Sequence, residues 1–284
     1  MAPKVALVTG TNSGIGLAAS VQLCQAGYTT YATVRSLAKA TALIEAAKEA
    51  GVVDRLKVIE MDVGKDESVA AAVTNLLAET DNTIDVVVAN AGYGDMSPPE
   101  AAAVGAFHDN LNVNLFGVVR LANAVLPAMR AAGRGRFIAT SSVAGLVAMP
   151  LMPVYATTKF AVEGFMESMA ATYAGIGIHF SLVEPGPVDT GFLDKATVPD
   201  GTPAELRPAA EAMQASMAGM MARAQSPADC AKYFLRAATE ERPQLRYMTC
   251  EPMESMLSVK CADLTGEKTL AALTAMVAPP EASS

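Results

Sequence analysis

The eight residues Thr9-Gly10-Thr11-Asn12-Ser13-Gly14-Ile15-Gly16 constrain this chain more than any others. They follow a short apolar run, Val5–Val8, that reads as a buried strand, and they open a helical pattern from Ile15 to roughly Gln25. Glycines in such a turn let the chain reverse tightly, let backbone approach a bound pyrophosphate, and let the helix pack close to the strand. The anion would lie over the positive end of the helix dipole. A glycine-rich turn alone is a weak signal, but its place after the first strand of a βαβ unit makes it strong. The spacing is G-x-x-x-G-x-G, a longer loop than the commoner G-x-G-x-x-G. Gly10, Asn12, Ser13, Gly14, Ile15 and Gly16 are therefore candidate cofactor-binding residues.

The rest of the N-terminal two-thirds continues the alternation. Strands are expected at Thr29–Val34, Leu56–Met61, Val86–Ala89, Phe137–Thr140 and His179–Val183. Helical patterns cover Ala40–Ala50, Ser68–Thr80, a long stretch near Phe107–Met129, and Tyr155–Tyr173. Continuous apolar strands alternating with helices predict an α/β fold, a single-domain, Rossmann-type doubly wound parallel sheet with helices on both faces. No repeat and no linker divides residues 1–284. Residues 185–225 are rich in Pro, Ala and Met. Ser226-Pro227-Ala228-Asp229 then has the form of a helix start, Leu245–Thr249 is a candidate last strand, and Pro279–Ser284 reads as a frayed tail.

Composition narrows the functions. With 21 Lys+Arg against 29 Asp+Glu, a net charge of −8 argues against broad binding to a nucleic-acid backbone, which needs a basic surface. Cys24, Cys230, Cys250 and Cys261 form no CxxC pair, which suits reduced thiols in a cytoplasmic protein. The start MAPKVALVTG enters a strand at once, with no pattern of a secretory leader. The uncharged stretch Phe137–Thr158 contains Pro150, Pro153 and Gly145, so a membrane-spanning helix is not expected there. Neither His108 nor His179 has ligand-like partners, and no metal is expected.

The ends of the other strands supply the chemistry. The second ends in Val34-Arg35 with no carboxylate, so Arg35 is placed to hold the 2′-phosphate of NADP(H) where an acid would instead select NAD. Asp62-Val63, after the third, would meet an adenine edge, although an isolated Asp also caps turns. Asn90-Ala91-Gly92, after the fourth, leaves room for a flat nucleotide. Ser142, Tyr155 and Lys159 are the sharpest grouping. Tyr155 and Lys159 are four apart and share a helix face, and Ser142 follows a strand that ends at the same sheet edge. A phenol needs a neighbouring cation to exchange protons near neutrality, which Lys159 would supply while binding ribose hydroxyls. Tyr155 would then act as general acid/base on a carbonyl oxygen that Ser142 holds. Asn114 is unremarkable by its residue chemistry; its useful role would be to bend its helix and support a proton-relay water near Lys159.

These motifs resemble the short-chain dehydrogenase/reductase family over roughly residues 3–250. The family's glycine motif falls on Thr9–Gly16, its Asn-Ala-Gly on Asn90–Gly92, its Tyr-x-x-x-Lys on Tyr155–Lys159, and its active-site Ser and Asn on Ser142 and Asn114. The resemblance extends to Pro185-Gly186, and it adds Val188 and Thr190 to the expected cofactor contacts. It implies nicotinamide-linked hydride transfer, the strand order 3-2-1-4-5-6-7, a homodimer formed through two long helices, and a substrate lid over about residues 190–225. Tyr31–Arg35, Lys159–Gly164 and His179–Glu184 resemble a branch of the family that acts on steroids and retinoids with NADP(H).

A hydrophobic small-molecule substrate fits the neighbourhood, with Met149, Pro187 and Phe192 as candidate contacts beside Ser142 and Tyr155. Met213, Met217, Met220 and Met221 form one helical stripe, readable as core packing, as a pocket wall, or as a peripheral membrane contact. The stretch Gly191–Arg223 does not follow the steroid enzymes, so substrate identity does not transfer. Two other readings stand beside the oxidoreductase: a catalytically silent NADPH-binding regulator, and a reductase of another carbonyl class such as quinones or lipid ketones. A nucleotide-sugar epimerase ranks low, because those enzymes usually carry a larger C-terminal domain.

Overall fold

A computed structural model of the chain describes residues 4–95, 100, 102–191 and 201–277. The strands are β1 (Val5–Thr9), β2 (Thr29–Val34), β3 (Leu56–Glu60), β4 (Val86–Ala89), β5 (Gly135–Thr140), β6 (Ile178–Glu184) and β7 (Arg246–Met248). They form one parallel sheet in the order β3-β2-β1-β4-β5-β6-β7, as expected. The order reverses between β1 and β4, which opens a crevice at their carboxyl ends where such sheets bind ligands. The glycine turn after β1, Asn90 after β4 and Ser142 after β5 sit at that edge.

Successive residues along each central strand serve two separate cores, because side chains alternate between the faces of a sheet. Leu7, Val87, Ala89, Phe137, Phe180 and Leu182 pack under α3 (Asp66–Glu79), α5 (Phe116–Ala132) and α6 (Pro153–Tyr173). Ala6, Val8, Val86, Val88, Ile138 and Val183 face α1 (Gly14–Gln25) and α8 (Pro227–Thr239). Burial on both faces explains why these strands read as unbroken apolar runs. The edge strand β3 is instead only partly buried.

The boundaries of α2 (Thr41–Glu49), α3, α6 and α8 lie close to those expected. α8 begins as the sequence indicates: Ser226 accepts from the Asp229 backbone N–H at 3.0 Å, and Pro227 occupies the first turn. The single helix expected near Phe107–Met129 is in fact two, α4 (Val104–Asn114) and α5, separated at Leu115. Together Val104–Ala132 are long and apolar enough to cross a membrane by length and composition. The break at Leu115 and the burial of Leu121, Val125 and Met129 make α5 a core helix of this sheet.

Within the Pro-, Ala- and Met-rich stretch lies α7 (Arg207–Met221), and after β7 come two helices that the sequence reading lacked, α9 (Pro252–Ala262) and α10 (Glu267–Ala275). α9 is pinned by Lys260. Its Nζ donates to the Leu146 carbonyl and lies 4.2 Å from the Phe160 ring centroid. Residues 279–284, read as a frayed tail, lie outside the described residues.

Candidate active site

The glycine turn is shaped by contacts that leave no space for side chains. Gly10 has φ +70°, and a Cβ there would lie 2.8 Å from the Ala91 Cα. A Cβ on Gly16 would lie 2.3 Å from the Gly10 carbonyl oxygen and 2.5 Å from Asn90 Nδ2. The turn is thus pressed against the end of β4. Asn90 donates to the Thr9 and Gly10 carbonyls at 2.9 and 3.2 Å and accepts from Thr140 Oγ1 at 3.1 Å. It joins the ends of β1, β4 and β5. The sequence reading had given Asn90–Gly92 only the task of leaving room.

At the N-terminus of α1 no side chain caps the free backbone N–H groups, and the first turn holds no acid. That is the donor set an anionic pyrophosphate requires. Arg35 is exposed at the rim of the same cleft and forms no ion pair among the described residues. Asp62 lines the cleft and also caps locally, its Oδ1 accepting from the Gly64 N–H at 3.0 Å. Val63, Ala91, Gly92, Pro185, Gly186, Val188 and Thr190 line it as well. The residues present therefore fit a phosphorylated dinucleotide.

Further along the cleft, Ser142, Tyr155 and Lys159 come together as expected, each nearly buried (9%, 7% and 5% exposed). Ser142 leaves β5 in extended conformation and its Oγ accepts from the Ala144 N–H at 3.1 Å. Tyr155 hydrogen-bonds with Ser142. Lys159 Nζ donates to the Thr140 carbonyl at 2.7 Å and stands 5.6 Å from the centre of the Tyr155 ring. Burial pushes the Tyr155 phenol up to about 12, with the Ser142 hydrogen bond opposing. Burial pulls Lys159 down to about 8, with the Glu163 carboxylate opposing. Thr140, which orients both Lys159 and Asn90, was not singled out in the sequence, since a threonine ending a strand carries no distinguishing signal.

Asn114 stands at the expected helix break, but its side chain is spent elsewhere. Oδ1 accepts from the Tyr93 N–H at 3.0 Å, and Nδ2 donates to the Tyr93 carbonyl at 2.9 Å and Asn110 Oδ1 at 3.0 Å. It clamps the segment after Gly92 onto α4.

The far wall is apolar. Met149, Met152, Met213 and Met217 form one buried cluster with Ala144 and Tyr155, flanked by Met220, Met276 and Val277. The methionine stripe is thus core and pocket wall at once, while Met221 is outside the cleft lining. Leu151, in the loop that delivers Met149 and Met152, holds φ +59°. Pro187 lines the cleft, and Phe192 lies outside the described residues. The loop after β6 is tied to the end of α7 by a parallel bridge between Val188 and Gln225. The whole cleft encloses about 1410 Å³. That exceeds the ~300–1000 Å³ usual for one small ligand and suits a dinucleotide with a second molecule.

A doubly wound sheet with a glycine turn at one end of its crevice and a buried Ser-Tyr-Lys group at the other defines a dinucleotide-dependent oxidoreductase. The short chain dehydrogenase family profile matches residues 4–199. The chain belongs to that family. It is 36% identical over 286 residues to 17-beta-hydroxysteroid dehydrogenase type 1 of Homo sapiens, covering 96% of this chain and 85% of that one. Retinol dehydrogenase 8 of Bos taurus is 37% identical over 276 residues, covering 93% and 87%. Among solved structures, an alcohol dehydrogenase from the archaeon Thermococcus sibiricus, complexed with 5-hydroxy-NADP, superposes with a TM-score of 0.69 at 27% identity, covering 86% and 95%.

Proposed function

We propose that the chain is an NADP(H)-dependent oxidoreductase acting on the carbonyl or alcohol of a bulky apolar molecule of steroid or retinoid type. One observation carries this reading: the Tyr155–Ser142 hydrogen bond lies in a single cleft between the glycine turn with Arg35 and a wall of methionines. The names of the two relatives, one a steroid and one a retinol enzyme, support the apolar substrate class, and the NADP analogue in the archaeal structure supports the cofactor.

When bound, the nicotinamide supplies or accepts the hydride. The chain's residues do the rest. Gly10–Gly16 and the uncapped start of α1 hold the pyrophosphate, Arg35 the 2′-phosphate, and Asp62-Val63 the adenine edge. Asn90–Gly92, Pro185-Gly186, Val188 and Thr190 line the same cleft and would hold the rest of the nucleotide, Thr190 from beside Gly14 of the turn. Lys159 holds ribose hydroxyls and, as an ammonium, favours the phenolate that forms on Tyr155. Tyr155 gives its Oη proton to the carbonyl oxygen during reduction, and Ser142 hydrogen-bonds the same oxygen. Both Nδ2 hydrogens of Asn114 are committed, so its support of a relay water runs through an oxygen and through its grip on Tyr93. Exposed Phe116 on α5 supports a homodimer through the two long helices.

The test is NADPH and NADH oxidation by the purified protein against steroid ketones, retinals, quinones and medium-chain ketones. Turnover with NADPH on a steroid or retinoid class is expected, and Tyr155→Phe lowers it by about 10²–10⁴-fold while NADPH binding persists. Tight NADPH binding with no turnover on any member would replace this reading with a nucleotide-binding regulator. Turnover confined to quinones or lipid ketones would move the substrate class.

A further inference from the structure

Behind the reacting groups lies a second cluster that the mechanism above leaves unused. One helical turn beyond Lys159 on α6 stands Glu163, its side chain 7% exposed. From β7, at the edge of the sheet, Arg246 Nη2 reaches Glu163 Oε2 at 3.0 Å and Glu167 Oε2 at 3.0 Å. Arg246 Nε also stands 3.2 Å from Oε1 of Glu184, a wholly buried residue on β6 neither of whose carboxyl oxygens accepts a hydrogen bond. Ser141, just after the end of β5, completes the surround of Glu163. One guanidinium thus faces three carboxyl groups, two of them buried.

The charges in this cluster sort themselves by environment. Burial first, and then the charge of Glu163, push Glu184 up to about 8, with Arg246 opposing, so Glu184 is the carboxyl of the cluster least favoured to carry charge. Glu163 is also raised by burial, but Ser141, Arg246 and Lys159 all oppose that rise. The hydrogen bonds of Arg246 go to Glu163 and to the exposed Glu167, and none goes to Glu184. The nearest cation on the other side of Glu163 is Lys159, four residues back on the same helix face, a spacing of ~5–6 Å between Cβ atoms. Lys159 needs that neighbour, because it is buried and its carbonyl partner, Thr140, carries no net charge.

We propose that Glu163 is a positioning residue that keeps Lys159 in its ammonium form, and that Arg246 acts through it by keeping Glu163 ionised. The inference rests on the catalytic reading of Tyr155 and Lys159. A β7 residue remote from the substrate would thereby set the upper pH limit of the reaction. Without the carboxylate, the pair Tyr155–Lys159 holds its remaining positive charge less well, and the amine form of Lys159 gives the phenolate no support.

The test follows the Lys159 side-chain NMR resonance against pH in the nucleotide-free protein, assigned with Lys159→Met, beside the pH profile of kcat/KM for reduction. Glu163→Gln should lower both the Lys159 midpoint and the alkaline limb by about 1–2 pH units, the usual effect of removing an opposite charge at this range. Arg246→Met is the sharper probe. Loss of a positive charge by direct Coulomb action would raise the midpoint, whereas action through Glu163 lowers it, and Arg246→Lys restores it. A raised midpoint in Arg246→Met overturns the proposal. So does an unchanged midpoint with a lower melting temperature, which would leave the cluster as a tie between β6, β7 and α6. Should Glu163→Gln fail to fold, Arg246→Met against Arg246→Lys carries the same decision. Because the resonance is read without nucleotide or substrate, a silent enzyme would break the functional reading while the coupling of Arg246, Glu163 and Lys159 is still decided by the midpoint.

Discussion

The two ends of the cleft are built from different materials. At the nucleotide end, position is set by backbone: Gly10 and Gly16 are pressed against Ala91, Asn90 and the turn itself, and Asn90 fastens three strand ends by hydrogen bonds. At the substrate end, position is set by side-chain bulk: Met149, Met152, Met213 and Met217 pack in one buried cluster with Tyr155. A phosphate is recognised by directed donors, whose placement one methyl group destroys. An apolar substrate is recognised by shape, which flexible thioethers supply in many interchangeable ways. The first end should therefore be brittle to substitution and the second forgiving.

The largest effect should come from the smallest change at the brittle end. Gly16→Ala puts a methyl group 2.3 Å from a backbone oxygen and 2.5 Å from the Asn90 amide, so the turn must move and Asn90 loses its bonds to Thr9 and Gly10. Overpacking with lost hydrogen bonds costs about 3 kcal/mol, which corresponds to NADPH affinity lower by more than about a hundredfold. Isothermal titration with NADPH measures it. An affinity within threefold of the parent would show that the turn has slack and that the contrast is false. Next comes Arg35→Ala. A charge-assisted bond at an exposed rim is screened, so the preference for NADPH over NADH should fall by about tenfold, seen in the ratio of kcat/KM values. An unchanged ratio would remove Arg35 from the 2′-phosphate.

The same division governed what could be read from the sequence. The parallel sheet, the glycine turn and the grouping of Ser142, Tyr155 and Lys159 were legible in strand patterning and residue spacing, whereas the strand order at the switch point came only with the family resemblance. Asn114 was legible only in part. Its helix does break beside it, but the clamp on Tyr93 depends on where a loop passes, and no spacing encodes that. Thr140, the helices α9 and α10, and the packing of Met276 and Val277 against the cluster around Tyr155 were missed. α9 and α10 leave Val259 and Leu270 exposed, so their apolar residues do not trace the buried stripe on which a helix is recognised. The methionine stripe carried its periodicity plainly, yet periodicity does not separate core from pocket wall, and here it is both.

The forgiving end is tested by two substitutions of graded size. Met217→Ala empties a buried position beside Tyr155. Large-to-small changes cost ~2–5 kcal/mol in closed cores, and the open cleft places this one near the lower value, about 2 kcal/mol by denaturant unfolding. KM for the best apolar substrate should rise several-fold while NADPH affinity holds. Met213→Leu conserves volume and should cost less than ~1.5 kcal/mol. Its informative readout is selectivity. Leucine is branched and has fewer rotatable bonds than methionine, so the wall becomes stiffer and the spread of kcat/KM across a substrate panel should widen without loss on the best member. A uniform fall across the panel would mean that Met213 supports the Tyr155 cluster as core rather than shaping the substrate, and the contrast between the two ends would then rest on Met149, Met152 and Met217 alone.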